Sequence, residues 1–306
     1  PVKIKVLSES KILFDANGGE GAPSGITGQA DDVIPVNDNA YKFPTTKPTL
    51  EGYTFSEWNT KADGTGSKVT AYPSHFPPRT TTYYAQYTAD PAYIKFDANG
   101  GTGAPTGLTG TTDAAISATF PGSSSNTTRT GYDFKGWYSD AAGEGTKITA
   151  YPTKFPAGTT TYYAKWEAQE AEIEFNANGG TGAPAGISGN HDDAITDTFP
   201  KDEPTRTGYT FKGWYPNAAG TGTEVTDYPD KFTTGTTTYY AKWEADDAEI
   251  VFDANGGKDA PAGTAGKTDD DVTDAFPSAT PTRDGYDFDG WYLTAAGTGT
   301  KQTDYP

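Results

Sequence analysis

The sequence predicts a mainly β protein, helix-poor, built as four small modules in tandem. Three observations predict it. The string FDANGG begins at Phe14 and Phe96, recurs as FNANGG from Phe175 and returns at Phe252. A second motif, GY-x-F-x-x-W, places its tryptophan at Trp58, Trp137, Trp214 and Trp291, and a third, TTTYYA, starts at Thr80, Thr159 and Thr236. The Phe-to-Phe steps are 82, 79 and 77 residues, longer than the roughly 20–50 residues of solenoid units and suited to small domains in series, each with its own core. Finally, no window of eleven residues carries helical periodicity, whereas short runs of period two alternate with Gly, Pro and Thr turns. The modules are read as 1–90, 91–169, 170–246 and 247–306, arranged as an elongated array. Such an arrangement favours display and reach over catalysis.

The second module shows the elements in order. In its later copies, Glu172-Ile173-Glu174-Phe175 and Glu249-Ile250-Val251-Phe252, Ile and Phe sit two apart and share one face of a strand. Asn99-Gly100-Gly101 ends that strand, because Asn and Gly tolerate positive φ. Pro105, Gly107 and Gly110 mark an irregular loop, and Asp113 to Phe120 is read as one short helical turn stopped by Pro121. Gly131 to Tyr138 is the best strand, with Tyr132 and Phe134 on one face. Trp137 breaks that parity, which predicts a bulge or a change of face at Gly136. The first module has Glu57 at this place, which argues against a backbone only glycine can adopt. A turn over Ala142 to Thr146 leads to a short strand, Lys147 to Ala150. Thr159 to Trp166 is the closing strand, with Tyr162, Ala164 and Trp166 facing one way and Tyr163 and Lys165 the other. The strands are expected to pair mostly antiparallel. Joints of about five residues, such as Thr88 to Ala92, lack the length and glycine content of a flexible coil, so the array should be a semi-rigid rod.

Composition narrows the function. The 306 residues contain no Cys and no Met, so neither a disulfide nor a cysteine-zinc site is possible. Pro1 as first residue suggests a piece of something longer, and no run of apolar residues approaches the roughly 18 needed to span a membrane. The formal charge of −18 is concentrated in the second half, where the third module carries 5 basic and 13 acidic residues and the fourth 4 and 12. Nucleic-acid binding needs the opposite sign, and the acidity reads as a solubility device. The second module sets four Ile or Leu against twelve aromatic residues. A domain under 80 residues is marginal on core size, and aromatic rings bury about 150–250 Å² each, so the core is built from rings. Trp137, Trp214 and Trp291 should be largely buried, together with Phe96, Phe175 and Phe252.

At this point the motifs match a known family. FDANGG-TGAP, then Pro204 to Tyr215 (PTRTGYTFKGWY), Ala218 to Thr223 (AAGTGT) and Thr236 to Trp243 (TTTYYAKW) resemble the Listeria–Bacteroides repeat, also called the internalin B-repeat. Gly52-Tyr53-Thr54-Phe55 with Trp58-Asn59-Thr60-Lys61-Ala62-Asp63-Gly64 is another form of the same signature, and the resemblance covers practically the whole chain. It implies a small β-grasp-like domain in extracellular multi-repeat surface proteins, with no enzymatic activity and no catalytic residues to transfer. Two departures stand out. The fourth module stops at Tyr305-Pro306 without the TTTYYAKW strand, so it is either cut short or evidence of a structural unit permuted relative to the repeat. The alternating Val2, Ile4 and Val6 look like a strand of another origin.

Candidate sites are few. His75 and His191 fall at positions that do not correspond, unlike a catalytic residue of a repeat array. Asp97-Ala98-Asn99-Gly100 has the acid-and-amide spacing of calcium loops, but the further oxygen ligands and the bidentate Glu are missing, and the third module substitutes Asn176 for the acid. An Asx-type turn accounts for it, and Asp269-Asp270-Asp271 reads as a solvated loop. No Lys, Asn and acid triad for an isopeptide bond can be identified from spacing. No catalytic residue, cofactor or metal site is therefore assigned, and no ligand-binding residue. With the resemblance, the sequence points to a non-enzymatic stalk or spacer of an adhesin-type protein, extracellular at the bacterial surface. Its expected partners are other domains of the same protein. The alternative is a repeat array that itself binds glycan or host protein through exposed aromatics, Tyr163 and Tyr240 among them. Neither nucleic acid nor membrane insertion within this segment is expected.

Overall fold

The computed structural model describes residues 8–35, 37–122 and 126–305, so the alternating segment around Val2, Ile4 and Val6 lies outside the described residues. The chain divides into two compact units, Pro1–Glu167 and Ala168–Pro306, each holding two repeats. Among the described residues there is no α-helix, and the first repeat has a three-residue 3-10 turn at Asn39–Tyr41.

In the first compact unit, the first repeat comprises β1 (Glu9–Asp15), β2 (Ile26–Gln29), β3 (Tyr53–Asn59), β4 (Lys68–Val69) and β5 (Thr81–Ala89). The second comprises β6 (Pro91–Asp97), β7 (Leu108–Thr111), β8 (Tyr132–Tyr138), β9 (Lys147–Ile148) and β10 (Thr159–Ala168). The sheet orders are β2-β1-β5-β3-β4 and β7-β6-β10-β8-β9. In the second compact unit, the third repeat has β11 (Glu170–Asn176), β12 (Ile187–Asn190), β13 (Tyr209–Tyr215) and β14 (Gly235–Ala245), ordered β12-β11-β14-β13. The fourth has only the hairpin of β15 (Asp247–Ile250) and β16 (Thr264–Lys267).

Most strand pairs are antiparallel, as expected, but the central pair of each of the first three repeats is parallel. β1 runs parallel to β5, β6 to β10 and β11 to β14, because the closing strand inserts between the opening hairpin and the GY-x-F-x-x-W strand. Residue patterns show which face a strand presents but not its direction, so periodicity carries no trace of this. In the first three repeats the closing strand pairs with the opening strand of the same repeat. The structural unit there coincides with the sequence repeat and is not permuted.

Period two places the core as expected. Along β11, Ala171, Ile173 and Phe175 are buried while the intervening glutamates are exposed. Phe175 sits edge-on to Trp214 at 4.8 Å and near Tyr239 at 5.8 Å, and Trp214 meets Phe211 at 5.3 Å. The bulge is present: β13 and β14 align Phe211 with Trp243, then Trp214 with Ala241. Phe211 and Trp214, three residues apart, can thus both join the core cluster. Gly213 has φ +106° and Gly136 φ +128°. In the first repeat the shift falls between Phe55 and Glu57 without a positive φ, whereas the glycines at this place in the other repeats adopt one, so the argument from Glu57 holds for the first repeat alone. The alanine of TTTYYA faces the tryptophan: Trp58 pairs with Ala85 and Trp214 with Ala241, and both alanines are fully buried. A larger side chain there would overpack the core.

Three other readings are corrected. Asp113 to Phe120 is not a helical turn. Ile116 N–H donates to Thr153 O and Phe155 N–H to Ala114 O, so pairing with the 153–155 segment wins over a single isolated turn. The strand expected over Lys147 to Ala150 is confined to Lys147–Ile148. Trp137 and Trp214 are buried, and so is Phe175, but Phe96, Phe252 and Trp291 are only half-buried. Phe252 and Trp291 lie in the fourth repeat, whose described residues include no closing strand.

Candidate functional site

The corner formed by the FDANGG or FNANGG motif is built the same way in the first three repeats. Asn99 adopts the left-handed conformation, φ +49°, and its backbone N–H donates to Asp97 Oδ1 at 2.8 Å. Its side-chain amide donates to Ala141 O and Ala164 O, at 2.7 and 2.9 Å, tying the corner to the AAG turn and the closing strand. Asn17 and Asn178 make the corresponding bonds. At the third corner Asn176 Oδ1 accepts from Asn178 N–H at the same 2.8 Å. What the position requires is an oxygen acceptor, which Asp and Asn both supply.

The closing strand then covers the corner. Trp166 Nε1–H donates to Ala98 O at 2.8 Å and Trp243 Nε1–H to Ala177 O at 2.9 Å, while Tyr87 does so through its hydroxyl to Ala16 O at 2.7 Å. The second glycine of NGG makes room for that ring. A Cβ on Gly101 or Gly180 would lie 2.5 Å from the Trp ring and 2.6 Å from a backbone carbonyl oxygen.

Within each compact unit the two repeats meet at one joint, and the two joints use the same bonds. One residue, Asp90, separates β5 from β6, and one, Asp246, separates β14 from β15, fewer than the five residues expected. Asp90 N–H donates to Gly52 O, and Thr112 N–H to Asp90 O; Asp246 N–H donates to Gly208 O, and Thr268 N–H to Asp246 O. Thr54 and Thr210 hydroxyls donate to the Asp90 and Asp246 carboxylates at 2.6 Å. Across the joints Tyr53 donates to Asp113 and Tyr209 to Asp269, each at 2.7 Å. Those hydrogen bonds, then desolvation, push both phenols above their ordinary value. Arg206 stacks on the Tyr209 ring at 3.7 Å with its guanidinium 4.0 Å from Asp269.

The two histidines have unrelated settings: His75 is exposed beside the Ser74 hydroxyl, and His191 accepts from Thr234 N–H. Of the acid run, Asp269 serves the joint and Asp270 accepts from Lys267 N–H at 2.8 Å, so it is more than a solvated loop. Sequence reasoning missed the joint residues. The usable signal was the constant 60-residue offset from Tyr53 to Asp113 and from Tyr209 to Asp269. Tyr163 and Tyr240 are half-buried.

The fourth repeat, as far as Pro306, carries a groove of 630 Å³. Phe252, Phe276, Phe288 and Trp291 line it, and Phe288 is 39% exposed.

The same four-fold pattern decides the family. The sequence model of the Listeria-Bacteroides repeat domain matches residues 11–86, 93–165, 172–242 and 249–305. The chain belongs to the Listeria-Bacteroides repeat family. Among similar proteins, one of Evansella cellulosilytica, described only as a Gly-rich membrane protein, is 30% identical over 244 residues, 79% of this chain and 26% of that protein. Internalin H of Listeria monocytogenes is 32% identical over 154 residues, 50% of this chain and 24% of its own length. The chain therefore spans about a quarter of the length of these relatives. Among the described residues no helix of this repeat array is long and apolar enough to cross a membrane.

Proposed function

We propose that these Listeria-Bacteroides repeats form a non-enzymatic spacer in a bacterial cell-surface protein, holding a distal region away from the cell. Each repeat is read as β-grasp-like, with the parallel central pair as its signature. The observation that carries the reading is the joint. The same hydrogen bonds recur at both joints described, with a single residue between consecutive strands. A short, doubly tied joint limits bending, as a spacer requires. The relatives, an internalin and a described membrane protein, support a location at the cell envelope.

The rival is an array whose repeats bind glycan or host protein. It calls for a ring patch exposed at one place in several repeats. Among the described residues the exposed large rings are Tyr93, Tyr286 and Phe288, which do not occupy one recurring position. Small-angle scattering tests the spacer. Each repeat has an expected diameter of ~30 Å, so four in series should span at least ~100 Å. A maximum dimension near ~60 Å would overturn the proposal. Glycan-array binding lost in Tyr163→Ala and Tyr240→Ala would favour the rival.

A further inference from the structure

We infer that Asn17, Asn99 and Asn178 are latent deamidation sites, closed to reaction in the folded repeat and open to it once the closing strand leaves. The four Asn-Gly steps of the chain begin at Asn17, Asn99, Asn178 and Asn255, one at each corner. Asn-Gly is the step at which asparagine most readily cyclises, because glycine has no side chain to shield its backbone nitrogen. That nitrogen attacks the Asn Cγ and closes a five-membered imide. The side-chain nitrogen leaves as ammonia, taking the glycine N–H proton with it. Water then opens the imide to aspartate or to isoaspartate, whose backbone is one methylene longer. Water is the only co-reactant, and nothing is oxidised or reduced. The corner does not easily dispense with its glycine. Gly18, Gly100 and Gly179 have φ +94°, +88° and +91°, a region other residues rarely adopt.

The fold blocks the first step. Asn178 Nδ2 donates to Ala218 O and Ala241 O, both at 2.9 Å, and Asn99 Nδ2 to Ala141 O and Ala164 O. Asn17 Nδ2 reaches Ala62 O and Ala85 O, both at 2.8 Å. Both hydrogens of the leaving amide are thus held, one by the turn after the GY-x-F-x-x-W strand and one by the closing strand. Swinging the Asn Cγ onto the next nitrogen would break both bonds. Reaction therefore follows the open population of each repeat. The product does not close again in the same way. Aspartate at position 178 offers an acceptor where the Ala218 and Ala241 carbonyls need a donor. Prolonged opening is thereby made irreversible, repeat by repeat.

The test incubates the full chain in mildly alkaline buffer, with and without guanidinium chloride, and follows each Asn peptide by its gain in mass. In denaturant Asn17, Asn99 and Asn178 should convert ahead of Asn217, which precedes alanine. In native buffer the same three should convert at least about tenfold more slowly than in denaturant. Trp214→Ala should speed Asn178 in native buffer and leave Asn99 unmoved. Once denaturant is removed, the Trp243 indole NMR signal should return only from chains with Asn178 intact. Equal rates at Asn178 with and without denaturant would overturn the proposal. So would full return of the Trp243 signal from chains converted at Asn178, or a Trp214→Ala chain whose third repeat is open while Asn178 stays unreacted.

Discussion

Trp214→Ala tests whether the recurring tryptophan is core or surface equipment. The ring is 4% exposed and touches Phe175 at 4.8 Å and Phe211 at 5.3 Å. Burial of roughly 150–250 Å² of ring at ~25 cal/mol per Å² amounts to about 4–6 kcal/mol. A compact unfolded chain reduces that by ~10–40%. The result, about 2–5 kcal/mol, overlaps typical truncations of buried aromatics. A repeat of this size has a total stability of only about 4–11 kcal/mol, at ~0.05–0.15 kcal/mol per residue. Urea titration followed by indole N–H signals reads the effect repeat by repeat. Trp243, bonded to Ala177 O, reports the third repeat, and Trp166, bonded to Ala98 O in the other compact unit, reports the second. The Trp243 signal should disappear at much lower urea while Trp166 is unmoved. An unchanged Trp243 transition would refute the core assignment, and simultaneous loss of both signals would refute independent repeats.

Gly180→Ala should cost about 1–3 kcal/mol in a thermal melt, because the new methyl meets both the Trp243 ring and Thr205 O. Gly182→Ala, at φ +78° in open space, should cost only about 1 kcal/mol. Asn176→Asp should be near neutral, whereas Asn178→Ala leaves the Ala218 and Ala241 carbonyls without this donor and should lose about 1–3 kcal/mol in the same melt. Burial pushes the phenols of Tyr83, Tyr162 and Tyr239 up, so the folded repeats hold those protons more tightly than the unfolded chain does. The stability this contributes is present below about pH 10 and is lost as pH rises through the folded values; a melting temperature flat from about pH 8 to 12 would contradict it. Millimolar calcium should shift melting no more than sodium chloride of equal ionic strength, and a specific rise abolished by Asp97→Ala would restore the calcium reading.

Much of each repeat was legible because its signals are local. Alternation in Glu172-Ile173-Glu174-Phe175 fixed the buried face, and the three-residue offset between Phe211 and Trp214 fixed the bulge. The parallel direction of the central pair was not legible, since parallel and antiparallel partners present the same alternating face. The joint was hidden for a different reason. Tyr53 and Asp113 lie in different repeats, so neither looks special inside its own. Phe252 and Trp291 carried the core signature but are half-buried, because burial depends on a strand their motifs do not contain.

The fourth repeat separates two roles that the complete repeats combine. Without a closing strand, Phe252 still meets Trp291 at 4.9 Å and Phe276 at 5.6 Å, and Phe288 meets Trp291 at 5.1 Å. The third repeat has 4.8, 5.5 and 5.3 Å for the same pairs. The ring cluster is therefore arranged by the opening strand, the GY-x-F-x-x-W strand and the loop carrying Phe276. The closing strand contributes the exclusion of water, with little effect on the arrangement. The same reasoning sets the order of damage: truncating Trp291, which shelters less surface, should cost the fourth repeat less than Trp214→Ala costs the third.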